Sequence, residues 1–225
     1  MGTYYKAVEK YFDKIDSGSW LEIGVDRGEG STRFFSDSAG KRGVKFYGVD
    51  ADPDQVSRSL DTLRRTGQAS IGPDGSINQI LGDLPAHVSI VHNTGEKFLD
   101  EFAQQHPTER FSLVYLDNFD WDYWVGGEEE SFVPAQKQRY EQIMGVQMNN
   151  LNSQIAHFLQ AFKLQTMMTE HAIIVCDDTW YHPREGVFIG KCSVAIPLLL
   201  LNGYKILESQ GYRQNSGVIL GKIKE

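Results

Sequence analysis

Short apolar runs alternate with amphipathic stretches along most of this chain. Tyr4, Val8, Tyr11, Phe12 and Ile15 recur at helical spacing over residues 4–15, and Ser17-Gly18-Ser19 breaks that pattern. Trp20-Leu21-Glu22-Ile23-Gly24 reads as a strand, with Gly28 and Gly30 behind it and a helix opening at residues 32–35. Residues 45–50 form the next strand, after a turn at residues 40–43. Asp52 as N-cap and Pro53 at the first helical position then open a polar helix over residues 53–65. Residues 67–75 read as loop, and residues 77–81 as a short helix or strand. A third strand is predicted over residues 88–91 and a helix over 96–102. The fourth and fifth strands, 111–116 and 172–176, are apolar on both faces, which belongs to a parallel sheet covered by helices. An apolar helix at 192–201 precedes strands at 204–208 and 218–223, joined across 211–217 by a hairpin-like connection. Strands alternating with helices predict an α/β fold: a Rossmann-like, doubly wound, mostly parallel sheet with a C-terminal antiparallel strand.

One segment is too long for a simple crossover. Residues 118–171 begin with Trp121, Tyr123 and Trp124 and pass through Glu128-Glu129-Glu130. They then enter a helix predicted over 136–168, with an apolar face of Val146, Leu151, Ile155, Phe158, Leu159 and Phe162. It reads equally as a long crossover helix and as a lid over a substrate pocket, and both can hold.

Composition narrows the setting. The 225 residues suit one domain spanning residues 1–225, 40% hydrophobic and 23% charged. At this length roughly 70% of the unfolded surface can be buried without staples. The two cysteines, Cys176 in an apolar run and Cys192, fit a reducing, cytoplasmic setting. A net charge of −8 without a dense Lys/Arg cluster ranks a small-molecule acceptor above nucleic acid as partner. The N-terminus has no apolar signal region, and the run at 195–201 is too short to span a bilayer, so no membrane association is expected.

The chemistry begins in the loop Glu22-Ile23-Gly24-Val25-Asp26-Arg27-Gly28-Glu29-Gly30, which ends a strand and opens a helix. Glycines there let backbone approach a ligand, and the helix start offers free N–H groups. A nicotinamide fingerprint would need a second glycine where Asp26 stands, so that reading fails. The pattern E-x-G-x-x-x-G-x-G resembles motif I of class I S-adenosylmethionine (SAM) methyltransferases. The resemblance implies that Glu22, Gly24, Gly28, Gly30 and Ser31 surround the methionine part of SAM. Asp50, at the end of the second strand, matches the acid that accepts the ribose hydroxyls. The other reading is an ordinary tight turn with a surface Asp. Asn93 and Thr94, after the third strand, fall where polar groups meet the adenine, or serve as caps of the following helix.

Asp117 ends the fourth strand, and Asp177 and Asp178 end the fifth. In a doubly wound sheet these ends share one crevice. Carboxylates converging there repel unless protons or cations compensate, and hard oxygen ligands suit Mg²⁺ or another divalent ion. An Asp after strand four with Asp-Asp after strand five resembles the metal site of cation-dependent O-methyltransferases. These comprise the catechol O-methyltransferase-like enzymes and the macrocin (TylF-like) sugar enzymes. On that resemblance Asp117, Asp177 and Asp178 are metal ligands; without metal Asp117 and Asp178 cap helices or contact SAM, and Asp117 counts among the cofactor contacts either way. Catechol-type enzymes carry a Lys three residues past the first metal Asp, where this chain has Asp120, which argues against a catechol. The TylF-like enzymes use a nearby Asp or His, so Asp120 and His182 are the candidate bases, each of which could equally be a solvated loop residue. Phe119 matches an aromatic that packs on the adenine in the family, and Trp121, Tyr123 and Trp124 could form an acceptor platform or simply pack the insertion.

The expected function is therefore SAM-dependent, Mg²⁺-dependent O-methylation of a sugar or other small natural product. A metal-independent N- or O-methyltransferase and a non-catalytic SAM- or nucleotide-binding module are the alternatives. The resemblance also points to a homo-oligomer, with no interface legible in the chain.

Overall fold

Strand β1 (Ser19–Ile23) is buried along its whole length, and its side chains divide between two cores. Trp20 enters one cluster with Phe35, Phe46, Leu60 and Tyr115. Leu21 and Ile23 enter the other with Phe98, Phe102, Leu116 and Leu164. That division is the physical meaning of a strand apolar on both faces: each successive side chain points to the opposite layer. The computed structural model describes residues 4–65, 86–123, 133–211 and 215–225.

The strands β1, β2 (Phe46–Asp50), β3 (Val88–His92), β4 (Phe111–Leu116), β5 (Met168–Asp177), β8 (Lys205–Gln210) and β9 (Gly217–Lys222) make one seven-stranded sheet in the order β3-β2-β1-β4-β5-β9-β8. The first five run parallel. β9 is antiparallel to both β5 and β8. Against one face pack an N-terminal 3-10 helix (Tyr4–Lys14), α1 (Ser31–Arg42) and α2 (Pro53–Arg65). Against the other pack α3 (Gly95–Gln105), α5 (Asn150–Leu164) and α6 (Ala195–Leu201). The predicted doubly wound sheet with an antiparallel C-terminal strand is the observed one. Because β1 is flanked by β2 and β4, the strand order reverses beside it, and the crevice at the carboxyl ends opens there.

The insertion departs from the prediction. Instead of one helix over 136–168 there are two, α4 (Val133–Met144) and α5. Gly145, at φ 65°, takes the chain out of α4 in a left-handed conformation. Asn149 then caps α5, accepting from the Asn152 amide at 2.8 Å. The expected apolar face is also reversed. Val146, Leu151, Ile155, Phe158, Leu159 and Phe162 are exposed, whereas Ser153, His157, Gln160, Ala161 and Leu164 are buried. The buried polar groups are held by specific bonds. Ser153 Oγ donates to the Phe119 carbonyl (2.8 Å), and Gln160 Nε2 donates to Glu96 on α3 (2.8 Å).

A second, two-stranded sheet was not foreseen. β6 (Thr179–His182) and β7 (Val187–Gly190) form a hairpin directly after β5. The expectations for residues 67–75 and 77–81, Trp124 and Glu128–Glu130 fall outside the described residues. Among those described, no helix is long and apolar enough to cross a membrane.

Candidate active site

The carboxyl ends of β1, β2, β4 and β5 enclose a cavity of ≈ 970 Å³, with α4 as its opposite wall. Of the residues singled out from the sequence, Gly24, Gly30, Ser31, Asp50, Asn93, Asp117, Phe119, Asp120, Asp177 and Asp178 line it. Glu22, Gly28, Thr94 and His182 do not.

The glycine loop is fastened from three sides. Thr32 Oγ1 on α1 donates to the Val25 carbonyl (3.1 Å). On α2, Ser59 Oγ donates to the Asp26 carbonyl (3.0 Å) and Thr62 Oγ1 to that of Arg27 (2.8 Å). Asp50 completes the set, accepting from the Val25 and Asp26 amides at 3.0 and 3.2 Å and from the Asp52 amide at 2.9 Å. Burial pushes the Asp50 carboxyl up to about 6, against the pull of those amides. Gly24 is needed because a Cβ there would meet the backbone of Asp117 and Asn118 at 2.6 Å, blocking the approach of the β1 and β4 ends. Gly28 instead packs on Ser59 of α2, so its role is to seat the loop rather than to face a ligand. The N-terminus of α1, at Gly30 and Ser31, opens on the cavity with no side chain capping it. Glu22 lies beneath the loop, fully buried; burial pushes its carboxyl up to about 8 although the Ser31 and Thr32 hydroxyls lie close enough to oppose this.

Past β3, the polar residues cap. Thr94 Oγ1 accepts from the Lys97 amide (3.3 Å). Asn93 reaches the cavity wall, but its Oδ1 accepts from the Thr94 amide (3.0 Å) and its Nδ2 donates to Glu101 (2.8 Å). The capping reading accounts for these side chains.

Backbone strain gathers on the same rim. Asp26 (φ 44°), Phe119 (φ 53°) and Asp178 (φ 45°) follow β1, β4 and β5 in conformations that side-chain-bearing residues seldom adopt, and all three line the cavity. Phe119 is buried with its ring 4.8 Å from that of Tyr140 on α4. Helix α4 grips the rim through polar contacts as well. Tyr140 Oη donates to Asp120 Oδ2 (3.1 Å) and accepts from the Asp120 amide (2.8 Å), and Gln136 Nε2 also donates to Asp120. Arg139 pairs with Asp52 (Nη2 to Oδ1, 2.6 Å) and Asp54 (2.9 Å) at the start of α2. Burial raises the Asp120 carboxyl above the usual carboxylate range, with Lys191 pulling the other way.

Asp117, Asp177 and Asp178 do converge: each brings a carboxylate oxygen within 4.8 Å of the others, and no other such cluster occurs among the described residues. Two kinds of compensation are already present. Asp177 is hydrogen-bonded to Asp117 and to Tyr115. Burial and the charges of Asp117 and Asp178 raise its carboxyl well above the ordinary range. The second is a cation that the sequence reading missed. Lys191 Nζ lies 2.8 Å from Asp117 Oδ1 and 3.1 Å from Asp178 Oδ2, its side chain 2% exposed. Burial alone would lower its pKa, but the surrounding Asp117, Asp178, Asp120 and Asp177 carboxylates hold it well above the ordinary lysine value.

The β6–β7 hairpin delivers that lysine. It returns the chain to its starting point, where the Lys191 amide donates to the Asp178 carbonyl (3.2 Å). Gly190, at φ 112°, allows it, because a Cβ there would overlap the same carbonyl oxygen. The hairpin also carries His182 away from the strand ends, so of the two candidate bases only Asp120 faces the cavity. A lone Lys between Gly190 and Cys192 has no ligand-like spacing; the one hint is its place before a wholly apolar helix.

Mg²⁺ binds deprotonated oxygens at about 2.1 Å. Here an ammonium already holds one carboxylate oxygen of Asp117 and one of Asp178. With Lys191 in place the donors do not fit a resident divalent ion.

No protein-family model and no curated protein matches the chain. Solved structures do. "SMU.1697c, a putative methyltransferase from Streptococcus mutans in complex with SAH" aligns over 98% of both chains, with TM-score 0.53 and 9% identity. A "putative rRNA-methylase" from Clostridium thermocellum aligns over 97% of this chain and 95% of its own, with TM-score 0.51 and 10% identity. A SAM-dependent methyltransferase from Aquifex aeolicus aligns over 99% and 89%, with TM-score 0.50 and 10% identity. The chain has the class I methyltransferase fold. At such identities the likeness to other methyltransferase-fold proteins concerns the backbone, and their stated targets stay with them.

Proposed function

We propose that this protein is a SAM-dependent methyltransferase that methylates a hydroxyl of a small molecule. The observation that carries the reading is the arrangement of Asp50, the glycine loop and the uncapped α1 N-terminus around one cavity at the strand-order reversal. Asp50 suits the ribose hydroxyls, and the start of α1 suits a carboxylate. When bound there, SAM supplies a methyl group on a positively charged sulfur.

On the acceptor side, Asp120 is the group to take the proton as the acceptor oxygen gains the methyl carbon. Tyr140 and Gln136 orient its carboxylate, and burial makes it a better base than an exposed Asp. Helix α4 acts as a lid, tied by Arg139 to α2, and excludes water from the reacting atoms. The acceptor is a small polar molecule that fits beneath α4; a sugar-like hydroxyl agrees with the polar wall. The Mg²⁺-dependent form of this chemistry rests on the three acids alone, and the Lys191 contacts weigh against it.

The test is calorimetric titration of S-adenosylhomocysteine (SAH). Wild type should bind it, and Asp50→Ala should weaken binding roughly tenfold or more, the loss expected for hydrogen bonds to a charged group. Absence of SAH binding by the wild type would remove the proposal.

A further inference from the structure

Resting on that methyltransferase reading, we infer that Lys191 is a positioning residue that serves as the site's built-in cation, holding Asp117 and Asp178 where a divalent ion would otherwise draw them together. Three observations converge. The Lys191 ammonium donates to Asp117 Oδ1 and to the Asp117 carbonyl (3.3 Å), and it pairs with Asp178 Oδ2 at 3.1 Å. Its side chain is almost wholly buried, so it cannot swing into solvent and leave the acids to another ion. Its backbone is fixed by the Asp178 carbonyl and by Gly190, so the hairpin sets the ammonium on the acids as rigidly as β5 sets Asp178 itself.

The consequence is a trade. A tethered ammonium gives one positive charge and directional N–H donors at a fixed place, with no dependence on free metal. Lys191 lies on the cavity wall itself, and through these contacts it fixes the rotamers of the acids that face the cavity. Tyr123 stacks on Trp180 of the same hairpin, with ring centroids 6.0 Å apart, and hydrogen-bonds Asp178, fixing that acid from another side. Take the lysine away, and three carboxyl groups remain at a spacing that accepts a six-coordinate oxygen-bound ion. A divalent cation site should then appear where the wild type has none.

The experiment is Mn²⁺ titration followed by electron paramagnetic resonance, on wild type, Asp177→Ala, Lys191→Ala and Lys191→Ala/Asp177→Ala, each checked by circular dichroism. Wild type should leave the free Mn²⁺ signal unchanged. Lys191→Ala should bind one Mn²⁺ at least roughly tenfold tighter than wild type, and the double variant should lose that gain. One Mn²⁺ bound by the wild type and released by Asp177→Ala overturns the inference, whether or not Lys191→Ala folds. A folded Lys191→Ala without gained affinity overturns it too. The SAH titration is independent: loss of SAH binding sinks the methyltransferase reading, whereas Mn²⁺ bound by an SAH-competent wild type sinks only the role of Lys191.

Discussion

Glu22→Gln gives a pH-dependent stability change whose sign is fixed by the structure. Glu22 sits near the carboxyl end of β1, fully buried, with Asp117 and Asp50 nearby. Burial lifts its carboxyl from the ordinary 4.5 to about 8. Below pH 4.5 the folded and unfolded chains both hold the proton, and the contribution to stability is fully present. Between the two values the folded chain keeps a proton that the unfolded chain has released, so stability falls as pH rises. The loss is complete above the folded value. At about 1.36 kcal/mol per pH unit, ionising Glu22 costs the fold on the order of 4–5 kcal/mol. Gln has nearly the same shape and no ionisation. Urea unfolding of both proteins from pH 5 to pH 8 should show the variant gaining on wild type by roughly 3–4 kcal/mol across the range. Any constant difference in hydrogen bonding cancels in that slope, and so does Asp50, whose carboxyl titrates in both proteins. A difference independent of pH, or one favouring wild type as pH rises, would mean that Glu22 is ionised in the folded chain and the argument from burial is wrong.

Other outcomes follow from single contacts. Arg139→Ala removes the tie between α4 and α2; because the side chain is 42% exposed, stability should change by less than about 1 kcal/mol, yet amide exchange across Val133–Met144 should accelerate, and unchanged exchange would refute the tether. Gly190→Ala should cost about 1–3 kcal/mol in urea unfolding, since a Cβ meets the Asp178 carbonyl at an unfavourable φ; a neutral result would show that the hairpin can shift. Phe162→Ser should alter stability by no more than about 0.5 kcal/mol because Phe162 is exposed, whereas Ala161→Leu, at a fully buried neighbour, should cost about 1–3 kcal/mol; the reverse order would mean that α5 is turned the other way.

The local pattern was enough for most of the sheet. Runs such as Phe111–Leu116 have to be buried on both faces, and a chain that alternates them with helices has few ways to bury them. Asp52-Pro53 likewise announced the start of α2. The glycine loop, Asp50 and the acids at the ends of β4 and β5 were legible because strand ends in such a sheet share one crevice. The sequence misassigned α5, since apolar spacing says which residues could form a face but not which face meets the sheet. There the partners were polar: Phe119 offered a carbonyl to Ser153 and Glu96 a carboxylate to Gln160. Lys191 was invisible for a related reason. A lysine's ordinary place is in water, and only the return of the β6–β7 hairpin onto Asp178 places its ammonium among the acids. The sequence thus determined that carboxylates would converge and need compensation, because that follows from strand ends and like charge. Which cation compensates them was decided by tertiary structure alone, because it depends on a contact between residues 117, 178 and 191 that only folding brings within about 3 Å.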